Sequence, residues 1–187
     1  MLTGNETEQN TDSIPEEYLL PGEYVDSGHP QVVDFAQCVT QGCDGEIEKA
    51  IALYLAVRDS ITYDPYFVGR SGGYFRASDC LASGKGFCIP KAALMAAGAR
   101  VLGIPARVGY ADVRNHLTTE KLDALVGGNL YRWHSYTELY LAGRWVKATP
   151  AFNKSLCEKF GVHTLEFNGR DDSLLQEVVC AGRPQMG

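Results

Sequence analysis

This chain of 187 residues contains no CxxC pair, no HxxxH pair and no EF-hand calcium loop. Structural zinc is held by such paired ligands and calcium by closely spaced carboxylates, so neither metal has a signal here and no cofactor is expected. No apolar run approaches the length of a membrane span, and a membrane is not an expected partner. Basic residues are also short, with 17 Lys and Arg against 23 Asp and Glu and a net charge of -6. Nucleic-acid affinity rests on clustered basic side chains, so nucleic acid is not an expected partner either. Residues 1–12 lack the basic and apolar regions of a secretory signal, which makes a cytoplasmic setting the expectation. Cysteines 38, 43, 80, 88, 157 and 180 would stay reduced there, because a chain of this size buries a core without disulfide staples. Nothing in the composition speaks to oligomeric state.

What is present is an ordinary globular composition, 45% hydrophobic and 21% charged. Residues 1–29 read as a partly irregular N-terminal arm, with Pro21-Gly22 as a turn, and residues 30–187 as one domain. A short helix is expected from Pro30 to Thr40, and a second with Asp44 as N-cap that buries Ile47, Ile51, Tyr54, Leu55 and Arg58. Pro90 fits only the first turn of a helix, so the small-residue run through Ala99 must begin near Phe87 or Cys88 and stop at Gly103 and Pro105. Arg107–Val113 reads as a strand and 118–125 as a helix. Residues 134–141 and 144–149 read as a hairpin turning at Ala142-Gly143. Pairing Leu141 with Arg144 sets Tyr136 opposite Thr149, which leaves His134 and Thr149 as diagonal neighbours on one face.

A thiol at a helix N-terminus meets unpaired N–H groups and the positive end of the helix dipole, both of which favour thiolate. Cys88 is therefore a candidate nucleophile, and the same N–H groups would serve the oxyanion of an acyl intermediate. The competing reading of Cys88 is a small buried hydrophobe, the common role of a free cysteine. His134 is a candidate base, although a lone strand histidine also serves as plain structure.

Two segments carry a family resemblance. GKGFCIPKAALMAAGARVLGIPARV, from Gly84 to Val108, and HSYTELYLAGRWVKATP, from His134 to Pro150, resemble the nucleophile helix and the histidine hairpin of the transglutaminase-like superfamily, in its single-domain bacterial type. Val57-Arg58-Asp59 with Ile61, Tyr63 and Asp64 is similar to the lead-in helix, so the likeness spans about residues 44–153. It implies a papain-like α+β fold, with the cysteine-bearing helix packed on an antiparallel β-sheet, and a Cys-His-acid triad. It also implies acyl-group chemistry through a Cys88 acyl-enzyme: amide or peptide hydrolysis, or transglutaminase-type acyl transfer, on a peptide or protein amide substrate. Hydrolysis is the expected outcome of the two.

One position departs from the pattern. The family's acid precedes a proline on the second hairpin strand, and the residue before Pro150 is Thr149. Threonine accepts a hydrogen bond but brings no charge to an imidazolium. Asn153 is the nearest substitute, since papain-like enzymes use an asparagine in this role, and Asp112, Asp171 and Asp172 are carboxylates that could reach from elsewhere. The departure also suits a weak or inactive member that keeps the fold to bind peptide. His116 and residues 166–172 look like ordered loops whose purpose the sequence does not give.

Overall fold

The structure, a computed structural model, describes residues 16–67, 75–114, 124 and 130–174. His116, Cys180 and, apart from Ala124, the helix expected over 118–125 lie outside the described residues. After a 3-10 turn at Glu16–Tyr18 come α1 (Pro30–Val39), α2 (Glu46–Ser60), β1 (Thr62–Tyr63), α3 (Ala77–Ser83), β2 (Lys85–Gly86) and α4 (Cys88–Val101). They are followed by β3 (Ala106–Arg114), β4 (Leu130–Leu141), β5 (Arg144–Ala148) and α5 (Lys154–Phe160).

Helix α4 is the centre of this α+β fold. It packs on α1, α2 and α3 on one side and on β3 and β4 on the other, and every residue from Pro90 to Ala99 is buried. A helix enclosed all round has no polar face to show, which is why its sequence carries small apolar residues without amphipathic period. Gly98 marks the tightest crossing: a Cβ there would lie 2.8 Å from a Leu53 methyl of α2. The antiparallel sheet runs β3-β4-β5, and its hairpin has the expected register, Leu141 opposite Arg144 through Thr137 opposite Ala148. Ala142 and Gly143 turn it with φ of 49° and 84°, the two left-handed residues that a tight hairpin requires.

Two expectations for α2 need correction. Its N-cap is Gly45 rather than Asp44, whose backbone N–H instead donates to the Glu48 carboxylate at 3.2 Å. Its buried face is Ala50, Leu53, Tyr54, Val57 and Arg58, while Leu55 is exposed. The face is rotated because α4 covers the Leu53 side at the Gly98 crossing.

The arm is irregular beyond its first turn yet well tied. Tyr18 packs edge-on against Trp145 at 5.3 Å, Arg100 donates to the Leu20 carbonyl at 2.5 Å, and Asp26 accepts from the backbone N–H of Ser78 at 3.1 Å. Residues 166–172 have a structural role. Asn168 Oδ1 accepts the N–H groups of Arg170 and Asp171, and Ser173 then bridges to Ala148, so the loop lays the following chain along β5. Among the described residues no helix is long and apolar enough to cross a membrane.

Candidate active site

Phe87 holds an extended backbone and Cys88 is the first residue of α4, with Pro90 in the first turn where its missing N–H costs nothing. The strand arrives from the other side. Pairing of β4 with β5 stops at Thr137, ahead of Pro150, and the backbone N–H groups of Ser135, Ile89 and Cys88 itself act to lower the Cys88 thiol. The main chain next to His134 therefore lies on the Cys88 side of the strand and favours its thiolate. Tyr110, the register partner of Ser135, borders the same spot. Burial, and then the charge Cys88 would carry, push its phenol above the ordinary range.

Electrostatics at the pair differ from the expectation drawn from the helix end. Burial pushes the Cys88 thiol up, and the three backbone N–H groups only partly offset it. The dipole and hydrogen bonds favour thiolate, but desolvation acts against the charged form and here is the larger effect. Burial also pushes His134 down to about 4. At neutral pH the two groups are thus a thiol and a neutral imidazole.

Thr149 is buried, and its carbonyl accepts from the Tyr54 hydroxyl at 3.3 Å. Its own hydroxyl has no hydrogen-bond partner, the only such buried side-chain atom among the described residues. The place where the pattern puts an acid therefore holds an unsatisfied oxygen. Asn153 is buried too, but its amide is engaged elsewhere: Oδ1 accepts the Tyr63 N–H at 3.0 Å and Nδ2 donates to Ser155 Oγ at 2.6 Å. Asn153 thereby ties β1 to the start of α5.

The three aspartates are also engaged. Asp112 accepts the N–H of Trp133 at 3.0 Å, fixing a bulge in β4 where Trp133 takes a φ of 56° and stands 70% exposed. Asp171 accepts from Asn168, and Asp172 from the Lys147 N–H. Tyr136 packs over Gly109, where its ring would lie 2.5 Å from a Cβ, so its work there is packing. Sequence reasoning missed the Ser135 N–H and Tyr110. The signal for the first was Pro150, which cannot extend the ladder and so leaves its neighbour's edge open.

Beneath the pair lies a polar layer that sequence did not suggest. Lys91, one turn after Cys88 and wholly buried, donates to the carbonyls of Arg58 at 2.9 Å and Ile61 at 2.6 Å. Arg58 in turn holds Asp59 at 2.7 Å and Glu166 at 3.0 Å. No cluster of side chains suited to a metal occurs among the described residues.

Comparison with known proteins identifies the family and the fold. Residues 33–150, more than half of the chain, match the sequence model of the Transglutaminase-like superfamily. A candidate cysteine protease from Cytophaga hutchinsonii shares the fold with a TM-score of 0.58 at 21% identity. The match covers 76% of this chain and 43% of that one, so the chain spans less than half the length of that structure. The periplasmic domain of TgpA from Pseudomonas aeruginosa aligns at a TM-score of 0.49 and 22% identity, over 74% of this chain and 48% of that domain. No curated protein matches.

Proposed function

We propose that this chain, which belongs to the transglutaminase-like superfamily, is a cysteine-dependent hydrolase of amide or peptide bonds. In this reading the Cys88 sulfur attacks the carbonyl carbon while His134 takes the thiol proton, and the C–N bond then breaks as His134 passes that proton to the leaving amine. Water, deprotonated by His134, cleaves the thioester and restores the thiol. The observation that carries the reading is the position of Cys88 at the start of α4, where the Ser135 N–H next to His134 favours its thiolate. Burial keeps that histidine neutral and so able to accept a proton. The backbone N–H groups of Cys88 and Ile89 are the candidate oxyanion donors.

Water rather than an amine is the proposed acceptor. Cys88 is partly exposed, and transfer to an amine needs a site that excludes water. The test supplies a glutamine-containing peptide with and without a primary amine and measures products by mass spectrometry. Hydrolysed peptide should dominate in both; predominant amine conjugate at modest amine concentration would make the chain an acyltransferase instead. A cytoplasmic setting is part of the proposal, supported by cysteines 38, 43, 80, 88 and 157 all being free thiols.

One observation favours a second reading, a weak or inactive module that binds peptide: the orphan hydroxyl of Thr149 supplies no charge where the family pattern has an acid. Thr149→Asp decides between loss and latency. A carboxylate there would stabilise the imidazolium, and alkylation of Cys88 by iodoacetamide at pH 7 should speed up on the order of tenfold or more. An unchanged rate would mean that this position does not act on His134.

A further inference from the structure

A cleft of about 450 Å³, within the size range of small-ligand pockets, opens on the first turns of α4, with Ile89, the neighbour of Cys88, in its lining. Its floor is Ile89 and Ala93, the outer side chains of the first two turns of α4, and one wall is Val108 and Tyr110 of β3. Tyr24 of the arm and Phe75 form the opposite wall. Tyr24 and Phe75 meet edge to face at 6.4 Å, and Phe75 meets Phe87, the residue before the cysteine, at 5.9 Å. Among the described residues no charged side chain lines the cleft. Tyr24 and Tyr110 stand half exposed at its mouth.

The cleft and the sulfur share walls. Ile89 offers its side chain to the cleft and its N–H to the sulfur, and Tyr110 lines the cleft while sensing the charge of Cys88. A carbonyl held at the Cys88 and Ile89 N–H groups would therefore carry its nearest side chain into an apolar, aromatic-walled space. Resting on Cys88 as the nucleophile, we propose that this cleft is the specificity subsite for the acyl donor and takes a bulky apolar or aromatic side chain. Charged and small donors are disfavoured there: a charge would lose its hydration without finding a partner, and a methyl group would leave the cleft unfilled.

The test measures second-order rates of Cys88 labelling by acetylated amino-acid chloromethyl ketones bearing phenylalanine, alanine or glutamate side chains. Each rate is divided by the reagent's rate with a free small thiol, and iodoacetamide serves as a reagent with no side chain. The phenylalanine reagent should be faster than the other two by on the order of tenfold or more, the gain that burying one such side chain supplies. Ala93→Phe, which fills the floor, should bring the phenylalanine-to-alanine ratio close to one, and a ratio on one protein cancels any general change in thiol reactivity. N-acetyl-phenylalanine amide should also protect unmodified protein from iodoacetamide better than N-acetyl-alanine amide, an arm that needs no variant. Equal normalised rates with Cys88 labelled would overturn the subsite and leave the nucleophile standing. Cys88 inert to every reagent while other thiols label would overturn the nucleophile, and the subsite with it.

Discussion

Cys88→Ala is expected to lower peptide hydrolysis by about 10⁴-fold or more while leaving the fold in place, as loss of a nucleophile does when donors and binding remain. The residue sits at the first position of α4 and is partly exposed, so losing its sulfur opens no large core cavity. Far-ultraviolet circular dichroism and thermal unfolding should match the parent. Retention of more than about a tenth of the activity would remove Cys88 as nucleophile, since no acyl-enzyme could then form there.

The same site makes a distinctive statement about pH. A cysteine and histidine held as an ion pair are alkylated at a rate that is flat through neutral pH. Here burial raises Cys88 and holds His134 down at about 4, so the resting thiol is protonated. Alkylation of the parent protein should therefore rise about tenfold per pH unit from pH 6 to beyond pH 8. A plateau over that range would show that the ion pair forms despite the burial.

How much of this was legible in the sequence follows from how local each cause is. Pro90 fixes the start of α4 because a missing N–H is tolerated only in a first turn, and Ala142-Gly143 fixes the register of β4 with β5 because a tight hairpin leaves no slack. Those two local constraints put Cys88 and His134 on their elements. The direction of the Cys88 shift was not legible. A helix dipole is carried by the helix itself, whereas desolvation is the sum of everything packed around the sulfur, including Tyr110 and the Ser135 main chain. The face of α2 was misjudged for a like reason: Leu55 and Leu53 fit an apolar stripe equally well, and the close crossing at Gly98 selects Leu53. The cleft drew on Tyr24, Phe75, Ile89 and Val108, four segments that no spacing rule connects.

Lys91 was the least legible residue of all, because a lysine in a helix ordinarily reads as solvated, and it leads to the largest expected effect on stability. Its ammonium meets the carbonyls of Arg58 and Ile61, where α2 ends and its last carbonyls have no partners within the helix. It caps α2 from α4 and faces the negative end of that helix's dipole. Burial nonetheless pushes Lys91 down to about 7, with Cys80, Asp59 and Cys157 opposing the shift and Arg58 adding to it. Unfolded chain keeps a lysine protonated to near pH 10. Between pH 7 and 10 the unfolded state thus holds a proton that the folded state lacks, and folding stability rises with pH by about 1.4 kcal/mol per unit. Below pH 7 Lys91 is charged in both states and the slope from this group vanishes. Above about pH 8 Cys80, which burial raises to about 12, and Cys88, which burial also raises, work the other way, because each unfolded thiol then loses a proton that the folded one keeps. The clean window is therefore pH 7 to 8, over which the parent protein should gain about 1 kcal/mol in urea unfolding. Lys91→Met fills a similar volume, leaves the Arg58 and Ile61 carbonyls without a donor, and should cost about 2–4 kcal/mol at pH 9. In that variant the rise between pH 7 and 8 should disappear. Equal slopes in the two proteins would mean that Lys91 stays charged in the fold, its ammonium stabilised by the two carbonyls more than burial opposes it.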